Sequence, residues 1–457
     1  MMDVIDKAKY RQFRQAKNRT ALHELWLPMV LFGSMGAITW AIRGTGGWDG
    51  VEGTIIPGMA WGLLWYYLCQ RRGIDARGIP LWLGLGIAIG GELGYGQYVS
   101  WIQGRFNVGE RIVPVAPWVG YAWFVICGIG WGAPGGILLG WALHGKASLR
   151  RWTARLLIPV GVAFLGWLLV RSCPWLFFPN YNLGIYVGDL DKHLTRTVET
   201  NTQNFVVLAW WVGAMLVAAF HRDRATLAAG ALIGGGFGIG FTLGALWCLG
   251  YSYAPGYIDW WKMWELHAGF NLGLLYVLTL YWATRQVDKA HGPDGVRLAA
   301  TAAAHAARPR FLELRRNVSL VLSVFILLFI MFYGASYRIG VLLGLYAEAA
   351  DQYAWPPGRV AVFAPFAVTI LVVTLLKLGR TLCLWRVPDS RGPDVPRLPE
   401  RMVDLMTVIG IVGAATIWPS QIGVLYAVFL CFAIFAFNRL NRHFDDINAV
   451  DTQHGAS

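Results

Sequence analysis

Charge is what this chain has least of. Asp, Glu, Lys and Arg make up 14% of its 457 residues, against roughly 25% in a soluble domain. So few charges cannot cover a chain of this size for water, and a free-standing soluble fold is excluded. Cysteine is sparse as well. The six residues Cys69, Cys127, Cys173, Cys248, Cys383 and Cys431 form no CxxC pair, which excludes a zinc knuckle and a thioredoxin-type redox motif. Cys173 and Cys248 fall near equivalent ends of apolar runs and read as separate small apolar residues rather than a disulfide. A P-loop, an HExxH helix and a GxSxG elbow are all missing. GxGxxxG occurs at 44–50, 84–90 and 238–244, but dinucleotide binding needs GxGxxG after a strand in a soluble unit. His267 alone lies where a haem ligand would be needed at membrane depth. No cofactor and no metal is expected.

What is abundant is apolar surface. Hydrophobic residues reach 56%, with 24 Trp and 55 Gly, and the mean hydropathy is +0.47. Trp is favoured at membrane interfaces and Gly where membrane helices pack closely. Spanning requires about 20 apolar residues per helix, and the sequence predicts an all-α polytopic membrane protein of about 12 transmembrane helices. The expected spans are 26–42, 54–70, 80–100, 118–142, 154–172, 204–221, 226–250, 264–284, 318–337, 358–377, 403–417 and 421–438. Residues 1–25 are basic and polar, carry no cleavage signature, and read as an amphipathic helix on the inner face.

With both termini inside, 30 of the 39 basic residues and 15 of the 26 acids fall on the inner side. Outside lie nine basic residues (Arg43, Arg105, Arg111, Arg171, Lys192, Arg196, Lys262, Arg338 and Arg359) against eleven acids. The positive excess is therefore wholly cytoplasmic, which places the chain in an inner (plasma) membrane with cytoplasmic termini. Topology and contact with anionic lipid account for the net charge of +13, and nucleic acid is not an expected partner.

The even-numbered helices repeat a phrase. GMAWGLL (58–64), GAPGGIL (132–138) and GFNLGLL (269–275) each read GxxxG followed by two aliphatic residues, with a degenerate AWWVGAM at 209–215. The odd helices carry GSMGAITW (33–40), GLGIAIGGELGYG (84–96) and GGGFGIGFTLG (234–244). The unit is a helical hairpin, repeated in parallel. Four glycine-rich hairpins form an eight-helix core over 26–284. A cytoplasmic linker at 285–317 leads to a four-helix appendage at 318–440, itself divided by a cytoplasmic linker at 378–402. A tail at 441–457 ends the chain. The glycines read first as packing ridges. The second reading is that the odd helices are interrupted near their outer ends, where non-helical backbone is allowed only away from lipid.

Ionisable residues inside a membrane usually face a cavity or a partner. At 1.5 Å per residue, Glu92 lies roughly 18 Å along helix 3 and Arg43 about 26 Å along helix 1. Glu92 has Tyr95 and Gln97 close by. Glu52 shares the first outer loop with Arg43. Glu265, Gly269 and Gly273 recur every four residues on one face of helix 8, and His267 with Asn271 takes another. The candidate substrate site is therefore Arg43, Glu52, Glu92, Tyr95, Gln97, Glu265, His267 and Asn271, drawn from separate hairpins. The outer tryptophans, Trp101, Trp118, Trp175, Trp247, Trp260, Trp261 and Trp264 among them, read mainly as an interfacial belt. The outer segment 173–203 reads as a lid, with a loose DxDxH too weak for a metal site.

Three functions stay open on the sequence. The leading one is a transporter or permease, with Glu92 binding a proton or cation, Arg43 an anion, and hairpins rocking. The second is a membrane-embedded transferase on a lipid-linked or outer-side substrate, with Glu92 or Glu265 as base and His267 as proton shuttle. The third is a non-catalytic subunit that docks partner helices. Membrane lipid and a small polar or lipid-linked substrate are the expected partners, alone or in a homo- or hetero-oligomer.

Overall fold

The computed structural model describes residues 25–41, 51–71, 76–91, 93–144, 147–305, 318–330 and 423–454. Among them, helix is nearly everything. The helices are α1 Leu25–Ala41, α2 Val51–Arg71, α3 Ile79–Gly90, α4 Gly96–Ile102, α5 Pro117–His144, α6 Leu149–Ser172, α7 Lys192–Phe220, α8 Arg224–Tyr253, α9 Trp260–His305, α10 Val318–Ile330 and α11 Gly423–His454. One antiparallel ladder, β1 Arg105–Val108 with β2 Arg111–Pro114, turns through Gly109 at φ +56°. Six of the helices are long and apolar enough to cross a membrane, and the architecture is that of an all-α membrane protein. Two expected spans, 358–377 and 403–417, and the amphipathic segment at 1–24 lie outside the described residues.

Glycine decides how the helices meet. On α5, Gly128, Gly132, Gly136 and Gly140 fall every fourth residue and line one ridge. A methyl on Gly132 or Gly136 would come within 2.6 Å of the carbonyl oxygens of Ile233 and Ala229 on α8. The other side of α5 meets α3, where a methyl on Gly86 would stand 2.6 Å from Gly135 Cα. All three full GxxxG phrases work this way. Gly58 and Gly62 seat on α3 at Leu83 and Pro80, Gly132 and Gly136 on α8, and Gly269 and Gly273 on α1 at Gly36 and Phe32. The first two join helices of different expected hairpins, and so does the third. The degenerate copy instead closes its own hairpin, with Gly213 of α7 on Pro159 of α6.

Close backbones leave room for large rings between them. Trp40 meets Trp61, Trp131 and Phe237 at 6.3, 5.2 and 5.7 Å, and Trp61 meets Tyr276 at 5.1 Å. Trp101 and Trp264 are buried in this core as well, so they leave the expected interfacial belt; Trp118 and Trp175 are exposed. Leu327, Tyr426 and Phe437, from α10 and α11, belong to the same cluster, and Tyr67 of α2 donates to Asn441 of α11. In contrast α6 shows lipid-type side chains outward, including Leu157, Leu165 and Phe164. Cys173 and Cys248 are unbonded to each other.

Two helices are irregular. Expected span 80–100 stops at Gly90 and restarts at Gly96. α8 contains a π turn at Gly230–Gly235 and a 3-10 turn at Leu246–Leu249. Side chains take carbonyls at each irregularity: Asn204 reaches Gly94 O at 2.9 Å, Trp211 Nε1 reaches Gly230 O at 3.1 Å, and Gln103 reaches Cys248 O at 3.2 Å. α1, the third glycine-studded odd helix, is continuous over its described residues, 25–41.

Candidate functional site

The site is built at the end of the bundle that carries the β hairpin. There α9 starts, with Asp259 Oδ1 accepting from Lys262 N at 3.0 Å and so satisfying an otherwise open amide. Lys262 Nζ reaches Glu265 Oε2 at 2.6 Å and the Ala41 carbonyl at 3.0 Å. A cation thus meets the C-terminal end of α1, where the helix dipole favours it. Glu265 is 2% exposed, and its Oε1 also accepts from Trp261 Nε1 at 3.1 Å. A carboxylate this deep is tolerable because it is paired and hydrogen-bonded. It lies with Gly269 and Gly273 on the α1 side of α9, as the four-residue spacing requires.

The interruption between α3 and α4 lies alongside. Its turns are closed by Gly91 N to Ala88 O and Leu93 N to Gly90 O. Tyr95, the residue before α4, is buried. Its ring stacks on Trp261 at 5.5 Å and meets Trp264 edge-on at 4.8 Å. Tyr95 and Glu265 therefore share Trp261 as a common wall.

Facing the interruption is a polar stripe of α7. Thr197, Thr200, Asn201 and Asn204 are all buried. The expected span begins at 204, with the polar TVETNTQ left in the outer segment 173–203. The segment is helix from Lys192, and the reason is local. Thr197, Thr200 and Thr202 return their hydroxyls to carbonyls four residues back at 2.8, 2.7 and 2.6 Å, which lets hydroxyl residues sit in an apolar setting. Asp191 caps the helix by accepting from His193 N and Leu194 N at 2.7 and 2.9 Å. Desolvation, which raises the value, is outweighed there by the combined amides of Leu194, His193 and Gly109, and the carboxyl is held below its ordinary value. Asp191 of the DxDxH run is thus a helix cap, and the end of the segment expected as a lid forms the first turns of α7. Nearby, burial pushes the Tyr186 phenol above its ordinary value, and its hydroxyl donates to Pro179 O.

From the stripe, Asn204 Nδ2 bonds Gly94 O, Thr200 O and Tyr98 Oη at 2.9, 2.9 and 3.1 Å. Tyr98 Oη donates to Asn201 Oδ1 at 2.9 Å, and Asn201 Nδ2 donates to Phe177 O at 2.8 Å. Gln97 Nε2 donates to Thr200 Oγ1.

The eight expected residues separate accordingly. Tyr95 and Glu265 come together across Trp261, and Gln97 joins the α7 stripe beside them. His267 and Asn271 share the α8 side of α9: Trp247 Nε1 donates to His267 Nδ1 at 3.0 Å, and Asn271 Nδ2 donates to Gly240 O at 2.9 Å. That places them on a different face from Glu265. Arg43 and Glu92 lie outside the described residues. Glu52 is in the first turn of α2, and its side chain lies outside them too. Sequence reasoning missed Lys262, Tyr98, Thr200, Asn201 and Asn204. The available signal was a run of amides and hydroxyls directly continuous with an apolar span.

Comparison of the chain with protein-family models, with curated proteins and with solved structures gives no match.

Proposed function

We propose that the protein is a transporter of a small polar solute, with its site at the interruption between α3 and α4. One observation carries this reading: an apolar helix is broken after Gly90, and buried amide side chains from α7 meet the break. Non-helical backbone is tolerated in a membrane only inside protein or along a wet cavity, and discontinuous helices are a common way to present backbone groups to a transported solute. Tyr95, Gln97 and Glu265 would line the path. Arg43 and Glu92, with Glu52 at the start of α2, would complete it. The glycine seams favour movement, because smooth backbone contacts can slide with little interdigitation to undo. We place the chain in a cytoplasmic membrane with both termini inside, on the distribution of Lys and Arg.

The other two readings have less support. Glu265 is held by Lys262 and Trp261 and is a poor general base, which weakens a transferase. All three full GxxxG faces close within the chain and are not left for partner helices, which weakens a docking subunit.

The test is thiol accessibility at position 97. Gln97→Cys is made in a background with all six native cysteines replaced, and membrane-impermeant maleimide is applied to right-side-out and inside-out vesicles. Labelling from both sides is the transporter's result. Labelling from one side only would overturn transport in favour of an outer-side enzyme. Protection from both sides would leave only the subunit.

A further inference from the structure

Hydrogen-bond direction is forced through the network beside the interruption. The Phe177 carbonyl can only accept, so Asn201 turns its nitrogen toward it. Asn201 Oδ1 therefore faces Tyr98 and takes its hydroxyl proton. With that proton given, Tyr98 must accept from Asn204 Nδ2. The same nitrogen faces the carbonyls of Gly94 and Thr200, which also only accept. Asn204 Oδ1 is thereby left an acceptor on a residue with 0% exposure, and it has no donor. A second chain ends the same way. Thr200 Oγ1 gives its proton to Arg196 O at 2.7 Å, so it must accept from Gln97 Nε2. Gln97 Oε1 is then also buried without a donor.

Both side chains bond Thr200 through their nitrogens, Asn204 at its carbonyl and Gln97 at its hydroxyl, and Asn204 also bonds the Gly94 carbonyl. Leaving a buried acceptor unmet costs about 1–3 kcal/mol, so two such oxygens at one break point to a ligand that supplies positive charge or a donated proton. An anion is excluded. The described ligands are neutral oxygens, and the exposed guanidinium of Arg196 sits over Gly96. That combination disfavours a divalent ion, which needs carboxylates.

We propose that Asn204 Oδ1 and Gln97 Oε1, with the Gly94 carbonyl beside them, bind a small monovalent cation: sodium, potassium or ammonium. Backbone carbonyls of an unwound helix are suited to such an ion. The inference goes beyond the transport reading and does not rest on it, since a structural ion would need the same oxygens.

The experiment is thermal unfolding of the full chain in nanodiscs, in sodium, potassium, ammonium or N-methyl-glucamine chloride at equal ionic strength. A ligand that binds only the folded state raises Tm with concentration. The expected result is a saturable rise with at least one of the three small cations over N-methyl-glucamine; which one rises separates a metal ion from ammonium. Gln97→Lys should abolish that dependence while keeping the elevated Tm, because its own ammonium takes the ion's place. Gln97→Leu should lose both. Equal Tm of the wild type in all four salts would overturn the proposal and leave a water as the missing donor. Persistence of the full cation effect in both Gln97 variants would overturn it too.

Discussion

The two ends of the bundle bury charge in different ways. At the end away from the β hairpin, Arg155 and Asp223, each 2% exposed, pair at 2.8 Å. Asp223 also accepts from the amide and hydroxyl of Thr226 at 3.1 and 2.7 Å, capping α8. The Arg155 guanidinium lies on the faces of Trp152 and Trp141 at 5.0 and 5.7 Å. That constellation ties α6, α5 and α8 together as a latch, with the Arg155 Nη1 nitrogen left over. At the hairpin end, Lys262 and Glu265 pair on a single helix and reach α1 through one carbonyl, and the neighbouring amide network ends in two unmet oxygens. One donor nitrogen is left over in the first cluster and two acceptor oxygens in the second, and only the oxygens lie beside a break in a helix.

Substitutions can break that comparison, and the largest effect belongs to the latch. Asp223→Ala strands a buried guanidinium, and removing one partner of a buried pair costs about 3–5 kcal/mol. Thermal unfolding should show a collapse in stability, and the double change Arg155→Met with Asp223→Leu should recover much of it. A loss no larger than that of a surface residue would mean the pair is not a latch. Next comes Glu265→Gln. Lys262 keeps the Ala41 carbonyl and Trp261 can keep an acceptor, so the expected stability loss is about 1–3 kcal/mol, measured the same way. Solute flux in proteoliposomes should fall much further than stability does. Equal losses in both would reduce Glu265 to a structural role.

A smaller effect follows from Asp191. Its carboxyl is held below the ordinary aspartate value, so its stabilising contribution is complete above the unfolded pKa of about 3.9 and disappears as pH falls through the lower folded value. Asp191→Asn keeps a cap but should flatten that acid-side slope in unfolding measured from neutral pH downward. An unchanged slope would place the titration elsewhere. The smallest stability effect is expected for Gln97→Ala in N-methyl-glucamine chloride, within about 0.5 kcal/mol, because without a small cation it removes an unmet acceptor along with one hydrogen bond. A loss comparable to that of Asp223→Ala would erase the contrast between the ends.

Much of the scaffold was legible. Apolar runs near 20 residues marked helices because lipid leaves the backbone no other partner, and the glycine spacing marked seams because only a missing side chain lets carbonyls approach to contact. Tyr95, Gln97 and Glu265 were readable as polar residues in otherwise apolar stretches. What escaped has a common cause. The α7 stripe, all but Asn204, was left in the outer segment, since its composition is polar and its satisfaction comes from Gly94, Tyr98 and Phe177, all distant in sequence. Lys262 was visible as a charge, but its reach to α1 depends on how α9 crosses that helix. The tryptophans misled for the same reason: Trp101 and Trp264 fill space that close glycine contacts create, and composition alone cannot tell a filled core from an interface.

The account stands most directly on an experimental map of the full chain in a lipid nanodisc at a resolution that shows side chains, collected in a sodium or potassium salt. It should show the third helix ending at Gly90 and resuming at Gly96, the Asn204 amide on the Gly94 carbonyl, and non-protein density between Asn204 and Gln97. An unbroken helix through 90–96, with the polar face of α7 turned toward lipid, would contradict it.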